Sequence, residues 1–371
     1  MSTIARTPVP AQLPVQHEAR FGVVGGVDTH QDTHTVAALD AAGRVIADQQ
    51  FPATAAGYRR LLAWLRGFGM LRVVGVEGTG AYGAGLARYL TGAGVSMVEV
   101  DRPDRKARRF AGKSDPLDAQ AAARAALAGT RTGTPKDRAG QVEALRNLRV
   151  ARRSAVDQRA DCLRRIKTLL ITAADDVRER LRALPDARLL DTCRALRPDT
   201  AQAGEPAHAA RIALRSLARR HGALTTEITE LDALIEPLVQ RINPRLLELN
   251  GVGPDVAGQL LVTAGQNAER LHSEAAFAML CGVAPIPASS GKTHRHRLNR
   301  GGDRQANAAL YRITLCRMRW DPRTRDYVER RTREGLSKKD IIRCLKRLIA
   351  REIYHVLRTP TQTTGSTYPA P

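Results

Sequence analysis

No stretch of the chain approaches 18 consecutive apolar residues, which excludes a membrane-spanning helix. Cysteine is scarce: Cys162, Cys193, Cys281, Cys316 and Cys344 are scattered, odd in number and never spaced C-x-x-C. That excludes a disulfide framework and a zinc-binding cysteine cluster, and fits a reducing, cytoplasmic setting. The first twenty residues contain Pro8, Pro10 and Pro14 but no apolar segment, so they do not read as a secretory signal. They read as a disordered arm over residues 1–20, and the Thr/Gly/Ser/Pro-rich tail over 359–371 reads the same way. Acids are also in deficit, with 37 Asp and Glu against 59 Lys and Arg and a net charge of +22. A field of that sign attracts polyanions, nucleic acid before an acidic membrane surface.

What is present divides into three stretches. Between Lys292 and Arg358 stand 20 Lys and Arg and 7 Asp and Glu, a net +13 of the +22, so the expected nucleic-acid surface is C-terminal. Residues 21–130 alternate strand and helix signals. Phe21–Asp28, Thr33–Asp40, Arg44–Phe51, Leu71–Glu77 and Val95–Val100 have strand character, and Ala55–Arg66 and Ala81–Leu90 have helical spacing. The order β-β-β-α-β-α-β is that of an RNase H-like domain, an antiparallel meander feeding a parallel βαβ part. Residues 138–245 lose the strand signals. Leu217, Leu224, Ile228, Leu231, Ile235, Leu238 and Ile242 form a heptad seam, which predicts an antiparallel helical hairpin or coiled coil suited to dimerisation, or else a bundle packing on itself. Residues 246–358 read as a third, mainly helical unit. The fold class expected is therefore α/β followed by α.

Four carboxylates carry the chemistry. Asp28 ends the first strand and Glu77 the fourth, strands that are neighbours in an RNase H-like sheet. Asp115 and Asp118, in K-S-D-P-L-D-A, are three apart on one helical face, with Pro116 suited to a first turn. Converging acids repel and protonate unless cations neutralise them. Two Mg²⁺ or Mn²⁺ ions would do so, and oxygen-only ligation suits such hard ions better than zinc. A competing motif lies beside Glu77: Gly78-Thr-Gly-Ala-Tyr-Gly83 matches the dinucleotide-binding G-x-G-x-x-G. That fingerprint normally follows the first strand of its domain, whereas three strand signals precede this one.

Leu249-Asn-Gly-Val-Gly-Pro-Asp-Val-Ala257 fits a helix-hairpin-helix, in which Gly251 and Gly253 let backbone approach a phosphate; an ordinary tight turn is the alternative. Downstream, Ser289 and Ser290 lie in a Pro/Gly-flanked loop surrounded by Lys292, Arg295, Arg297, Arg300 and Arg304. These cations would hold DNA phosphates, and a guanidinium could stabilise a phosphorane. Serine is a poor nucleophile without activation, and spacing alone leaves both serines as loop residues.

Taken together, these residues resemble the transposases of the bacterial insertion-sequence family one-ten, relatives of Piv-type DNA invertases, over roughly residues 22–357. The V-D-T-H at Asp28, V-E-G-T-G at Glu77 and K-S-D-P-L-D-A resemble that family's RuvC-like DEDD domain. The L-N-G-V-G-P, F-A-x-x-C-G-V-A-P, S-S-G-K and R-G-G-D-R…L-Y runs resemble its C-terminal transposase domain. The resemblance implies that the serine before the glycine, here Ser290, attacks a phosphodiester and joins the 5′ phosphate, with the DEDD metals in the same composite centre. It also implies dimers and tetramers assembled through the helical middle, and a noncoding bridge RNA that pairs with double-stranded donor and target DNA. A metal-only nuclease of the RuvC or RNase H kind is the alternative enzyme. A nonenzymatic nucleic-acid binder is the third reading, and it has no use for four convergent acids.

Overall fold

The computed structural model describes residues 22–100, 114–293 and 295–358; the expected arm at 1–20 and tail at 359–371 lie outside them. The chain divides into two compact units, Met1–Asp137 and Arg138–Pro371. No helix among the described residues is long and apolar enough to cross a membrane.

The first unit is a six-stranded mixed sheet. Strands β1 (Gly22–Thr29), β2 (Thr33–Leu39) and β3 (Val45–Pro52) form the antiparallel meander. Helix α1 (Ala55–Arg66) then leads to β4 (Met70–Glu77), which pairs parallel with β1, and α2 (Ala84–Gly92) leads to β5 (Met97–Val100), parallel with β4. Helix α3 (Asp115–Ala128) and the short β6 (Thr132–Gly133) complete the order β3-β2-β1-β4-β5-β6. A mixed sheet with this order is consistent with an RNase H-like DEDD domain. One face is covered by Leu61, Leu62 and Leu65 of α1 and by Leu86 and Leu90 of α2, all buried. The second helix begins at Ala84 rather than Ala81, because residues 78–83 are a turn and Gly78 has φ +70°.

The other face carries α3 at very short range. A Cβ on Gly26 would lie 2.1 Å from the Ala119 carbonyl, and one on Gly75 would lie 2.6 Å from that of Ala122. Glycines on β1 and β4 facing Ala119, Ala122 and Ala123 let helix backbone rest almost directly on strand backbone. This contact sets where the N-terminus of α3 meets the strand ends.

The second unit begins with two long helices, α4 (Gly140–Thr172) and α7 (Pro206–Ile242). They run antiparallel, as Arg152 bonding Asp232 and Arg220 bonding Gln158 require. Helices α5 (Asp175–Leu181) and α6 (Asp186–Ala195) close the far end over Ile166, Leu170, Leu214 and Ala218. Much of the predicted seam is used inside the chain: Leu224, Ile228 and Ile235 are buried. At the near end Leu145, Ile235 and Val239 share one core with α8 (Pro254–Ala264), α9 (Glu274–Leu280), α10 (Arg304–Trp320) and α12 (Lys338–Arg358). Helix α11 (Pro322–Arg333) lies between the last two in sequence and buries only Thr324 among its own residues.

Candidate active site

Strand pairing sets the first two acids. Val27 of β1 stands opposite Val76 of β4, so Asp28 and Glu77 come next at the carboxyl ends of adjacent parallel strands. The Thr29 hydroxyl donates to the Glu77 carbonyl at 2.9 Å and ties those ends together. Asp115 opens α3, with a proline in its first turn, and Asp118 lies one turn further, buried. The close seating of α3 on Gly26 and Gly75 carries both acids to the strand ends.

Asp28 is 9% exposed. Burial pushes its carboxyl above the ordinary carboxylate range; His30 opposes that rise, and the nearby Asp118 and Asp115 carboxylates add to it. A carboxyl held up by burial and by other acids is stabilised in its charged form by a cation. Sequence reasoning missed His30, whose Nε2 lies 3.1 Å from Asp28 Oδ2 and 3.4 Å from Asp115 Oδ1. One donor atom from each of Asp28, His30 and Asp115 falls within 4.8 Å of the others, a spacing that fits a single divalent ion. The available signal was the i, i+2 step from Asp28, which returns a side chain to the same side of an extended chain. The four predicted acids therefore divide: Asp28 and Asp115 are joined through His30, Asp118 is close enough to perturb Asp28, and Glu77 is placed beside Asp28 by strand register.

The serines occupy the tip of a β-hairpin. Strands β7 (Ile286–Pro287) and β8 (His296–Arg297) pair antiparallel, and Ser290 and Thr293 bridge through their backbones at 3.2 and 3.1 Å. The two hydroxyls differ. Ser289 Oγ accepts from the Arg295 backbone N–H at 3.2 Å and closes the loop. Ser290 is exposed, and its hydroxyl bonds no described residue. Gly291 follows at φ +54°, in the left-handed region that favours glycine and lets the chain turn directly after Ser290.

Lys292, Arg295, Arg297, Arg300 and Arg304 are all exposed, and none forms an ion pair with a described carboxylate. Below them the sequence runs C-G-V-A-P and R-G-G-D meet backbone to backbone: a Cβ on Gly302 would lie 2.6 Å from the Gly282 nitrogen. Asp303 then caps α10 by accepting from Gln305 and Ala306 N–H at 2.8 and 3.2 Å, and Thr263 donates to its other oxygen at 2.7 Å. These contacts anchor both ends of the serine hairpin to the core.

The glycine pair upstream is arranged differently from a helix-hairpin-helix. Its leading element is a 3-10 turn, Pro244–Leu246, following α7. Gly251 has φ +76°, and a Cβ there would touch Cys316 and the Ile313 carbonyl of α10 at 3.4 Å, whereas Gly253 faces open space. Asp255, in the first turn of α8, is held by Arg149, Arg152 and Arg312 at 2.8, 3.2 and 2.6 Å.

Comparison with known proteins places both halves. Residues 25–173 match a transposase family model of the IS110 DEDD type, and residues 243–329 match the transposase IS116/IS110/IS902 family. An insertion element IS110 protein of 43.6 kDa from Streptomyces coelicolor is 31% identical over 153 residues, covering 40% of this chain and 38% of that protein. An insertion element IS900 protein of 42 kDa from Mycobacterium paratuberculosis is 30% identical over 145 residues, covering 38% of this chain and 36% of its own length. The similarity thus spans well under two thirds of either relative.

Proposed function

Because the chain belongs to the IS110 family of transposases, we propose that it cuts and rejoins DNA through a covalent 5′-phosphoserine, with Ser290 as nucleophile. The observation that carries this reading is the unequal pair at the hairpin tip, where Ser289 closes the loop and Ser290 presents a hydroxyl among cations that pair with no described carboxylate. In the step, Ser290 Oγ attacks phosphorus and loses its proton. The bond from phosphorus to the 3′ oxygen breaks, and the 3′ oxygen takes up a proton. Attack by a different 3′-hydroxyl on the phosphoserine reverses the chemistry and joins new ends, so the energy of the phosphodiester is kept. Lys292, Arg295, Arg297, Arg300 and Arg304 hold flanking phosphates and offset charge on the phosphorane.

Asp28, Glu77, Asp115 and Asp118, with His30, would hold divalent metal, Mg²⁺ or Mn²⁺. Bound there, the metal supplies Lewis-acid stabilisation of the oxygens in phosphodiester cleavage. Asp28 supports this assignment because its burial among acids calls for a compensating cation. The finer family traits belong to the same proposal: a noncoding bridge RNA pairs with donor and target double-stranded DNA, and copies assemble as dimers or tetramers. Val150 and Leu234, 58% and 57% exposed on α4 and α7, favour contact between copies in a coiled coil along these helices. Gly253 supports phosphate approach at the start of α8.

The test is a suicide DNA substrate nicked beside the cleavage site. Wild type traps a protein–DNA adduct on a denaturing gel, Ser290→Ala traps none, and Ser289→Ala keeps part of it. Cleavage by wild type without any adduct overturns the phosphoserine and leaves a metal-only nuclease.

A further inference from the structure

The heptad seam of the helical hairpin contains a layer that is not apolar. On α7, position 221 stands four residues after Leu217 and three before Leu224, where the repeat calls for an apolar side chain. His221 occupies it, half-buried. On α4, Arg159 stands in the same way between Ala155 and Cys162, which are buried with Leu224 and Ile228 in one cluster. Arg220 donates to Gln158 at 2.8 Å, which brings residue 159 level with residue 221. Arg194 of α6 closes the group, since a Cβ on Gly222 would lie 3.5 Å from its Nε.

Three basic side chains from three helices therefore meet in one layer. The neighbouring acids do not balance them: Arg164 and Arg165 hold Asp161 at 2.9 and 2.5 Å, and Asp191 takes only the Arg194 Nη1, at 3.0 Å. Burial holds His221 below the ordinary imidazole range, and Arg159 and Arg194 push it further down. A polar layer that fixes helix register is satisfied within itself, a donor set against an acceptor. This layer sets cation against cation, a repulsion that an anion between them relieves. Donors arriving from three directions suit the tetrahedral oxygens of a phosphate, whereas a planar carboxylate is met by a single guanidinium fork.

We infer that Arg159, Arg194 and His221 form a phosphate-binding site in the helical hairpin, open to a nucleic-acid backbone or to free phosphate. The site uses none of the acids or serines of the proposed chemistry, so its failure would leave that reading untouched.

The test reads His221 itself. Ring-proton NMR titration follows each histidine, with His221→Gln assigning the signal, and phosphate replaces chloride at constant ionic strength. Bound phosphate favours the imidazolium, so the His221 pKa should rise by about one unit. His208 lies on the same helix, about 20 Å away, and should not move. Arg159→Gln and Arg194→Gln, the latter at an exposed position, should each remove the rise. A rise with a short DNA duplex, at concentrations where free phosphate has no effect, assigns the site to a nucleic-acid backbone. A rise with phosphate and none with duplex assigns it to the free anion. No rise with either would overturn the site, as would equal rises at His208 and His221, which report bulk charge screening. A rise that survives both arginine variants, folded by circular dichroism, would overturn it too, and an equal rise with acetate would overturn the choice of phosphate.

Discussion

At the scale of single residues, the site depends on an absence. Gly26 is the point where β1 accepts the backbone of α3, and a Cβ there would also lie 2.2 Å from the Ala123 nitrogen. Backbone cannot swing aside as a flexible side chain can, so Gly26→Val must lift the helix and draw Asp115 and Asp118 away from Asp28. Overpacking of this kind costs about 1–3 kcal/mol. The expected result is a lowered melting temperature together with lost cleavage; a variant that melts and cleaves as wild type does would show that α3 seating does not position the acids. His30 makes a second prediction. As an imidazole donor between two carboxylates it favours Mn²⁺ over Mg²⁺ more than an all-oxygen site would. His30→Ala should weaken Mn²⁺ binding by about tenfold in calorimetric titration and weaken Mg²⁺ binding less. Strand ends and acid spacing made Asp28, Glu77, Asp115 and Asp118 candidates in the sequence, whereas His30 escaped because the search was for carboxylates. Neighbouring serines are chemically alike in one dimension, and only hairpin register separates Ser289, bonded to Arg295, from Ser290.

At the scale of elements, apolar alternation was enough to place β1 to β5 and their order, since each strand has its own pattern and the connections are short. Contacts between distant segments were not legible. Gly282 and Gly302 meet backbone to backbone, and nothing local to either glycine announces the other. Between α7 and the Gly251 turn the chain forms a 3-10 turn, Pro244–Leu246. The heptad seam was visible, but its use within the chain, with Leu224 and Ile228 packed beside Ala155 and Cys162, depends on α4. Asp255 shows how such elements are joined, because its arginines come from α4 and α10 while it stands on α8. Burial works against its ionisation, but Arg149, Arg312 and Arg152 win and hold its carboxyl below the ordinary carboxylate range. A depressed folded value stabilises fully above the unfolded value of about 3.9 and is lost as pH falls through the folded one. Urea midpoints should therefore fall on acidification below about pH 4, and Asp255→Asn should flatten that dependence. At neutral pH the same variant should cost about 3 kcal/mol, since it leaves clustered guanidiniums uncompensated. A pH profile identical to wild type would remove Asp255 from this role.

For the whole molecule, net charge overstates the nucleic-acid footprint. Much of the basic C-terminal stretch is already neutralised: Glu274 holds Arg347 and Arg351, Glu352 holds Arg317, and Asp340 holds Arg343. Arg347, Arg351 and Arg317 join different helices, and Arg343 pairs within α12, so each shares its charge with a carboxylate. The hairpin cations Lys292, Arg295, Arg297 and Arg300 are exposed and pair with no described carboxylate, so they should contribute to how binding responds to salt. Each phosphate contact contributes about 0.9 to the slope of log affinity against log salt for duplex DNA. Arg295→Ala with Arg297→Ala should therefore lower the magnitude of that slope by about 1.8, with little change in melting temperature because both side chains are exposed. Arg343→Ala with Arg351→Ala removes the same formal charge from the same stretch, yet should leave the slope nearly unchanged and lower stability instead. Equal slopes for the two double variants would mean that bulk charge governs binding and that the hairpin has no special claim on the DNA.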